Sequence, residues 1–268
     1  GIKIFNWIFT MWKGSITFST AMLYAIGFIV TFTIGGISGV MHAMSSSDAQ
    51  QQDTYFIVAH FHYVLFGGAI MGIFGGLYYW FPKFAGRMFN EKMGKIQFWL
   101  LFIGQNITFF PMHFVGMDGM PRRIYTYSGE MGWTALNALE TAGSILIVIS
   151  VLLFIHNIVK SWRSGEQASG DPWDGRTLEW SMSSPPPEYN FEEIPQVHVV
   201  DDWWAKKRGL LGEQAPSGAS GEEGDIHLPQ PSFWPLVSAI GIFIGGYGLI
   251  YSYPAAIVGL AIMMVGVY

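Results

Sequence analysis

The chain has 268 residues, 51% of them hydrophobic and only 12% charged, with no cysteine and a net charge of −5. So few charges on so apolar a chain exclude an ordinary soluble domain and point to a helical membrane protein. Without cysteine, disulfides, thiolate metal sites and iron–sulfur clusters are excluded within the chain, and the small negative charge gives no basis for nucleic-acid binding.

In chain order, residues 1–12 read as the last turns of a membrane helix, with Gly1 already inside an apolar pattern, so the sequence reads as a fragment. Lys3 lies in those turns, where its stem lets the amine reach the interface. Residues 19–41 form a span whose glycines allow close helix approach. Ser45-Ser46-Ser47-Asp48 follows as a polar loop, running to Asp53 and to Thr54, which is placed to cap the next helix.

Residues 54–80 are the centre of the chain: a helix long enough to cross a bilayer that carries Ala59-His60-Phe61-His62-Tyr63. Histidines two apart on a helix point ~200° from each other. His60 and His62 therefore cannot easily chelate one ion, as an i, i+4 pair can. One reading has each ring bonded to a neighbouring helix. The sharper one has two separate metal centres with Phe61 between them, and imidazole is a common axial ligand of haem iron. Two haems would then flank one helix.

Residues 82–95 read as a short loop in which Lys83, Arg87, Lys92 and Lys95 outweigh Glu91, which marks the cytoplasmic side. The serine-rich loop is then outside. Residues 95–110 cross back and stop at Pro111. In Gly119-Met120-Pro121-Arg122-Arg123, two adjacent arginines on the outer side oppose the positive-inside bias. They need anionic partners, which bidentate carboxylates or lipid phosphates could supply. His113 reads as a packing residue, His42 and His156 as interfacial ones. Residues 133–159 make a further span, closed by Lys160 and Arg163.

From residue 162 to 231 the chain is polar and rich in Gly, Ser, Pro and Glu, an extended cytoplasmic segment. Its prolines and aromatics, as in Asp171-Pro172-Trp173-Asp174, suggest docking on the inner face. Residues 214–224 are the expected linker, and His198 and His227 read as surface residues. Residues 233–251 and 255–268 form a hairpin broken at Tyr253-Pro254. The fold expected is all-α, a polytopic transmembrane helix bundle in three parts: 1–163, 164–232 and 233–268.

Three stretches carry a resemblance: His60-Phe61-His62, Gly119-Met120-Pro121-Arg122-Arg123 and Gly1-Ile2-Lys3-Ile4-Phe5. In this order they resemble the C-terminal part of subunit I of the haem-copper oxidases, helices eight to twelve, as far as about Phe191. The resemblance implies that His60 ligates the high-spin, oxygen-reducing haem and His62 the low-spin, electron-relaying haem, both of haem A type. Phe61 holds the two ligands apart. It implies that Arg122, Arg123 and Asp48 lie at the haem propionates, and that Lys3 serves a proton-uptake path. A magnesium site is implied at residues 52 and 53, where the family has His-Asp and this chain Gln52-Asp53. Glutamine still offers a carbonyl oxygen.

The implied reaction is oxygen reduction to water by cytochrome c electrons, coupled to proton translocation. The copper ligands, the second low-spin haem histidine and a crosslinked tyrosine belong upstream of Gly1. Implied partners are therefore the N-terminal part of subunit I, a subunit II with dinuclear copper, subunit III and cytochrome c, in a bacterial plasma membrane. A quinol oxidase would share these motifs, and a nitric oxide reductase fits the lysine helix less well. A non-haem transporter or scaffold is the alternative from another class. The C-terminal hairpin is an addition, resembling a small accessory subunit or the opening of a fused one.

Overall fold

The computed structural model describes residues 1–191, 194–210 and 232–267. It divides into two compact units, Gly1–Ala215 and Pro216–Tyr268. The described residues are helical or irregular, with no strand beyond two isolated bridges. The all-α expectation holds. Among the described residues, five helical segments are long and apolar enough to cross a membrane: Thr20–Ala43, Tyr55–Ala85, Glu91–Met117, Thr134–Ser164 and Trp234–Tyr251.

In the first unit, α1 (Ile2–Met11) is short and buries none of its residues. Ser19 caps α2 (Thr20–Ala43), its hydroxyl accepting from the Met22 amide at 3.3 Å. The serine-rich stretch expected to be a loop is instead a helix, α3 (Ser45–Gln51). Asp48 in its first turn complements the helix dipole. Thr54 caps α4 (Tyr55–Val64) as expected, accepting from the Phe56 amide at 3.2 Å, a contact worth ~1 kcal/mol.

The central helix is not uniform. After α4 it widens into a π-helical segment, Leu65–Ile70, and resumes as α5 (Met71–Ala85). The Thr31 hydroxyl of α2 donates to the Gly67 carbonyl at 3.0 Å, so the widened turn is tied to the neighbouring helix. Pro82, read as the start of a loop, lies inside the last turn of α5, and the helix ends at Gly86 with φ 66°. That left-handed position suits glycine.

Asn90 caps α6 (Glu91–Phe109), which begins four residues before the position expected. Pro111 stops it and opens α7 (Pro111–Met117), as a proline at a first helical position does. The last helix of the bundle, α8 (Thr134–Ser164), runs past the expected end at 159.

The core joins α2, α5 and α6 through Tyr24, Met71, Phe74, Tyr78, Phe81, Phe98 and Leu101. Several polar groups buried with them are paired. Tyr24 donates to Gln97, Gln97 donates to Ser150 of α8 at 3.0 Å, and Asn157 donates to the Asn90 carbonyl at 3.2 Å. Such bonds hold transmembrane helices together where the hydrophobic effect cannot. Gly143 of α8 lies so close to α6 that a Cβ there would stand 2.6 Å from the Thr108 amide nitrogen.

The polar segment after α8 docks as expected on the end of α5, and Lys83 does the holding. Read in sequence as a solvated loop charge, it is a helical residue only 7% exposed. It donates to the carbonyls of Gly170 and Met182, each at 2.9 Å, and of Ser183 at 3.2 Å, with the Trp180 ring 5.1 Å from its amine. Trp173 donates to the Tyr79 carbonyl at 2.8 Å. The segment also contains a short helix, α9 (Asp202–Lys207), tied down by Lys207 to Asp171 and Asp174, each at 2.7 Å. His198 is not free: it lies 3.5 Å from Asp202. The expected linker at 214–224 and His227 lie outside the described residues.

The second unit is a hairpin of α10 (Trp234–Tyr251) and α11 (Tyr253–Val267), turned at Ser252. Gly241, Gly248 and Gly259 sit where the opposite backbone leaves no room for a Cβ, the small-residue contact of paired membrane helices.

Candidate functional site

Gly35, Ser38 and Gly39 of α2 hold His60. Its Nδ1 lies 2.9 Å from the Gly35 carbonyl oxygen and 3.0 Å from the Ser38 hydroxyl, and that hydroxyl donates to the same carbonyl. A carbonyl only accepts, so Nδ1 carries the hydrogen and the lone pair is at Nε2. Gly39 makes the approach feasible: a Cβ there would stand 2.9 Å from His60 Cε1.

His62 solves the same problem within its own helix. Its Nδ1 donates to the Val58 carbonyl one turn back at 2.8 Å, again leaving the lone pair at Nε2. The ring stacks on Phe109 of α6, centroids 4.2 Å apart and planes 11° apart. Phe61 packs against it at 4.6 Å. One histidine thus meets α2 and the other α6, on different sides of α4, as their spacing requires.

No hydrogen bond reaches Nε2 of either ring among the described residues. An imidazole whose Nδ1–H is secured and whose Nε2 is open is set up for metal ligation. No group of three metal-ligating side chains occurs among the described residues. The donor set therefore fits a group such as haem iron, which takes single axial imidazoles. It does not fit a cage of protein ligands.

The arginine loop is fastened to the N-terminus of α4. Thr54 bridges Pro121, and the Tyr55 amide donates to the Met120 carbonyl at 2.9 Å. The Arg122 amide donates to the Asp53 carbonyl at 2.8 Å, and its guanidinium grips the Asp53 carboxylate at 2.5 and 2.7 Å. Asp53 and Arg123 both adopt positive φ, 58° and 67°. The anionic partner expected for the arginines is thus, for Arg122, Asp53. Gln52 is exposed and Asp53 is engaged by Arg122, so residues 52 and 53 by themselves do not complete a magnesium donor set.

The other expected residues are scattered. Asp48 lies 3.3 Å from His42, whose ring stands edge-on to His60 with centroids 5.0 Å apart. His42, read as interfacial, is therefore a neighbour of the site. His113 packs on Phe56 and Tyr63 as a packing residue should. Lys3 is exposed on α1. Sequence reasoning missed Glu140, 5% exposed in the second turn of an apolar span. A lone acid in such a span was the signal available.

A family model described as "Cytochrome C and Quinol oxidase polypeptide I" matches residues 1–149. Cytochrome c oxidase subunit 1 of Bacillus sp. strain PS3 is 47% identical, aligned over 98% of this chain and 44% of its own length. Quinol oxidase subunit 1 of Bacillus subtilis strain 168 is 44% identical, over 97% of this chain and 40% of its own. The chain thus spans less than half the length of these relatives. Among solved structures, a haem-copper terminal oxidase dimer matches with a TM-score of 0.51 at 20% identity, over 55% of this chain and 27% of that one. That likeness concerns the fold alone.

Proposed function

Since the chain belongs to the cytochrome c and quinol oxidase polypeptide I family, we propose that it is the haem-bearing part of a proton-translocating terminal oxidase that reduces oxygen to water. Family membership implies haem and copper and sets aside the unrelated transporter or scaffold. The carrying observation is the pair of imidazoles with secured Nδ1–H and open Nε2 on different sides of α4.

His60 is the proposed axial ligand of the high-spin haem and His62 that of the low-spin haem, both haems of A type. Bound there, the haems supply electron transfer and oxygen binding. The residues of this chain supply the rest. The Gly35 carbonyl and Ser38 fix the orientation of His60 and raise its basicity. Phe109 fixes the plane of His62. Phe61 keeps the two rings apart. Arg122 and Arg123 are proposed to bind the propionates, Arg122 together with its Asp53 partner, and Asp48 to lie beside them through His42. Lys3 is the proposed carrier of protons toward the site.

Copper ligands and the second low-spin ligand would come from the preceding part of subunit I. Electrons would come from cytochrome c by way of a subunit II with dinuclear copper, with subunit III as a further partner in a bacterial plasma membrane. Quinol as donor is a second reading, favoured by the 44% identity to a quinol oxidase subunit. Turnover assays of the complete complex with reduced cytochrome c and with a quinol separate the two. Oxidation of cytochrome c supports the first, and oxidation of quinol alone the second.

A further inference from the structure

Glu140 stands alone in the bundle. It lies six residues into α8, ~9 Å along the axis from its start, and is 5% exposed with Oε1 buried and lacking any hydrogen-bond partner. Its face of the helix is set by its neighbours. Asn137 donates to Met120 Sδ at 3.6 Å, and Gly143 abuts Thr108 of α6, so Glu140 between them faces the junction of α6 and α7. The titratable groups facing it are Tyr55 from α4 and, beyond it, Tyr127 from the segment preceding α8. No lysine, arginine or histidine pairs with it among the described residues.

An ionised carboxylate without partner inside a membrane bundle is costly, and intramembrane acids are by default functional. Glu140 also sits beneath the arginine loop. Tyr55, next to it, lies five residues from His60 on one helix and is bonded through its amide to Met120 of that loop. A change of charge at the centre held by His60 is therefore felt at Glu140 through low-dielectric protein.

We infer that Glu140 is a proton-binding site on the arginine-loop end of the bundle, holding a proton while the metal centre is reduced and releasing it on oxidation. The balance is simple. As the centre that His60 would hold passes an electron to oxygen, the oxidant of the proposed reaction, the carboxylic acid would dissociate to carboxylate and a proton, and the proton would leave to the aqueous phase on the arginine-loop side. The inference rests on the haem reading above.

The test is reduced-minus-oxidised infrared difference spectroscopy of the complete oxidase, with the optical haem spectrum recorded on the same sample. The expected result is a deuterium-sensitive protonated-carboxyl band that appears on reduction, is lost in Glu140→Gln and is displaced in Glu140→Asp. The haem spectrum should be retained in both variants. Should Glu140→Gln fail to assemble, the displacement in Glu140→Asp decides alone. A band unchanged in either variant, or no such band in a sample with a normal haem spectrum, overturns the inference and leaves the haem reading standing. A sample without haem overturns the haem reading instead.

Discussion

At the scale of single residues, the two histidines owe their readiness to backbone carbonyls. Gly35 O and Val58 O fix the tautomers, and a carbonyl cannot be swapped by mutation, whereas Gly39 can. Gly39→Val would drive a side chain into His60 Cε1, where even a Cβ would stand 2.9 Å away. Losing the orientation of a ligating histidine costs ~10–100-fold in metal affinity. The expected outcome is preferential loss of the carbon-monoxide-binding haem while the other population persists. Equal loss of both would show that the substitution unfolds the bundle rather than turning His60. The spacing of His60 and His62 was legible in sequence because helix geometry fixes it. The hydrogen bonds of His60 were not, since Gly35 and Ser38 lie more than twenty residues away.

At the scale of elements, the spans were legible from apolar length and from caps such as Thr54 and Pro111. The boundaries were less so, because proline and charge are ambiguous signals near a helix end. Pro82 in a last turn breaks little, so α5 continues to Ala85, and Lys83 turns inward to satisfy three carbonyls. The widened turn at Leu65–Ile70 leaves no composition signal at all. Replacing Lys83 by Met removes those bonds at a cost of about 2 kcal/mol, roughly a 30-fold rise in the undocked population. Limited proteolysis between residues 165 and 185 should accelerate accordingly; an unchanged rate would show that Trp173 and Trp180 hold the segment without Lys83.

The same segment should respond to acid. The hydrogen bond from Lys206 holds the Asp202 carboxyl down at about 2, below the ordinary ~3.9 of a free aspartate. A carboxyl depressed by folding contributes stability above its unfolded value, and that contribution fades as pH falls from about 4 through about 2. Lys207 works in the opposite sense. Burial lowers its amine, yet the carboxylates of Asp171 and Asp174 outweigh that and raise it. Trp203 and Trp204 of α9 report the event. Their fluorescence should change between pH 4 and pH 2 in the parent protein, and the change should be smaller in Asp202→Asn, where only the Asp171 and Asp174 pairs remain to be lost. An identical acid transition in both would remove Asp202 from the account.

At the scale of the whole molecule, the chain supplies two imidazoles and an arginine loop, and its relatives are more than twice as long. Fold class was legible from the apolar spans, and the family because three motifs occur in one order within residues 1–123. The roles of Lys3, Gln52 and Asp48 were less so, because they depend on groups that other segments bring.

Whether each histidine holds its own haem is decided by the reduced-minus-oxidised optical spectrum of the complete complex, with and without carbon monoxide, for the parent, His60→Ala and His62→Ala. Two haem populations are expected, only one of which binds carbon monoxide. His60→Ala should remove the binding population and His62→Ala the other. A complex without haem, or one in which both replacements leave both populations intact, would contradict the assignment of one haem to each histidine.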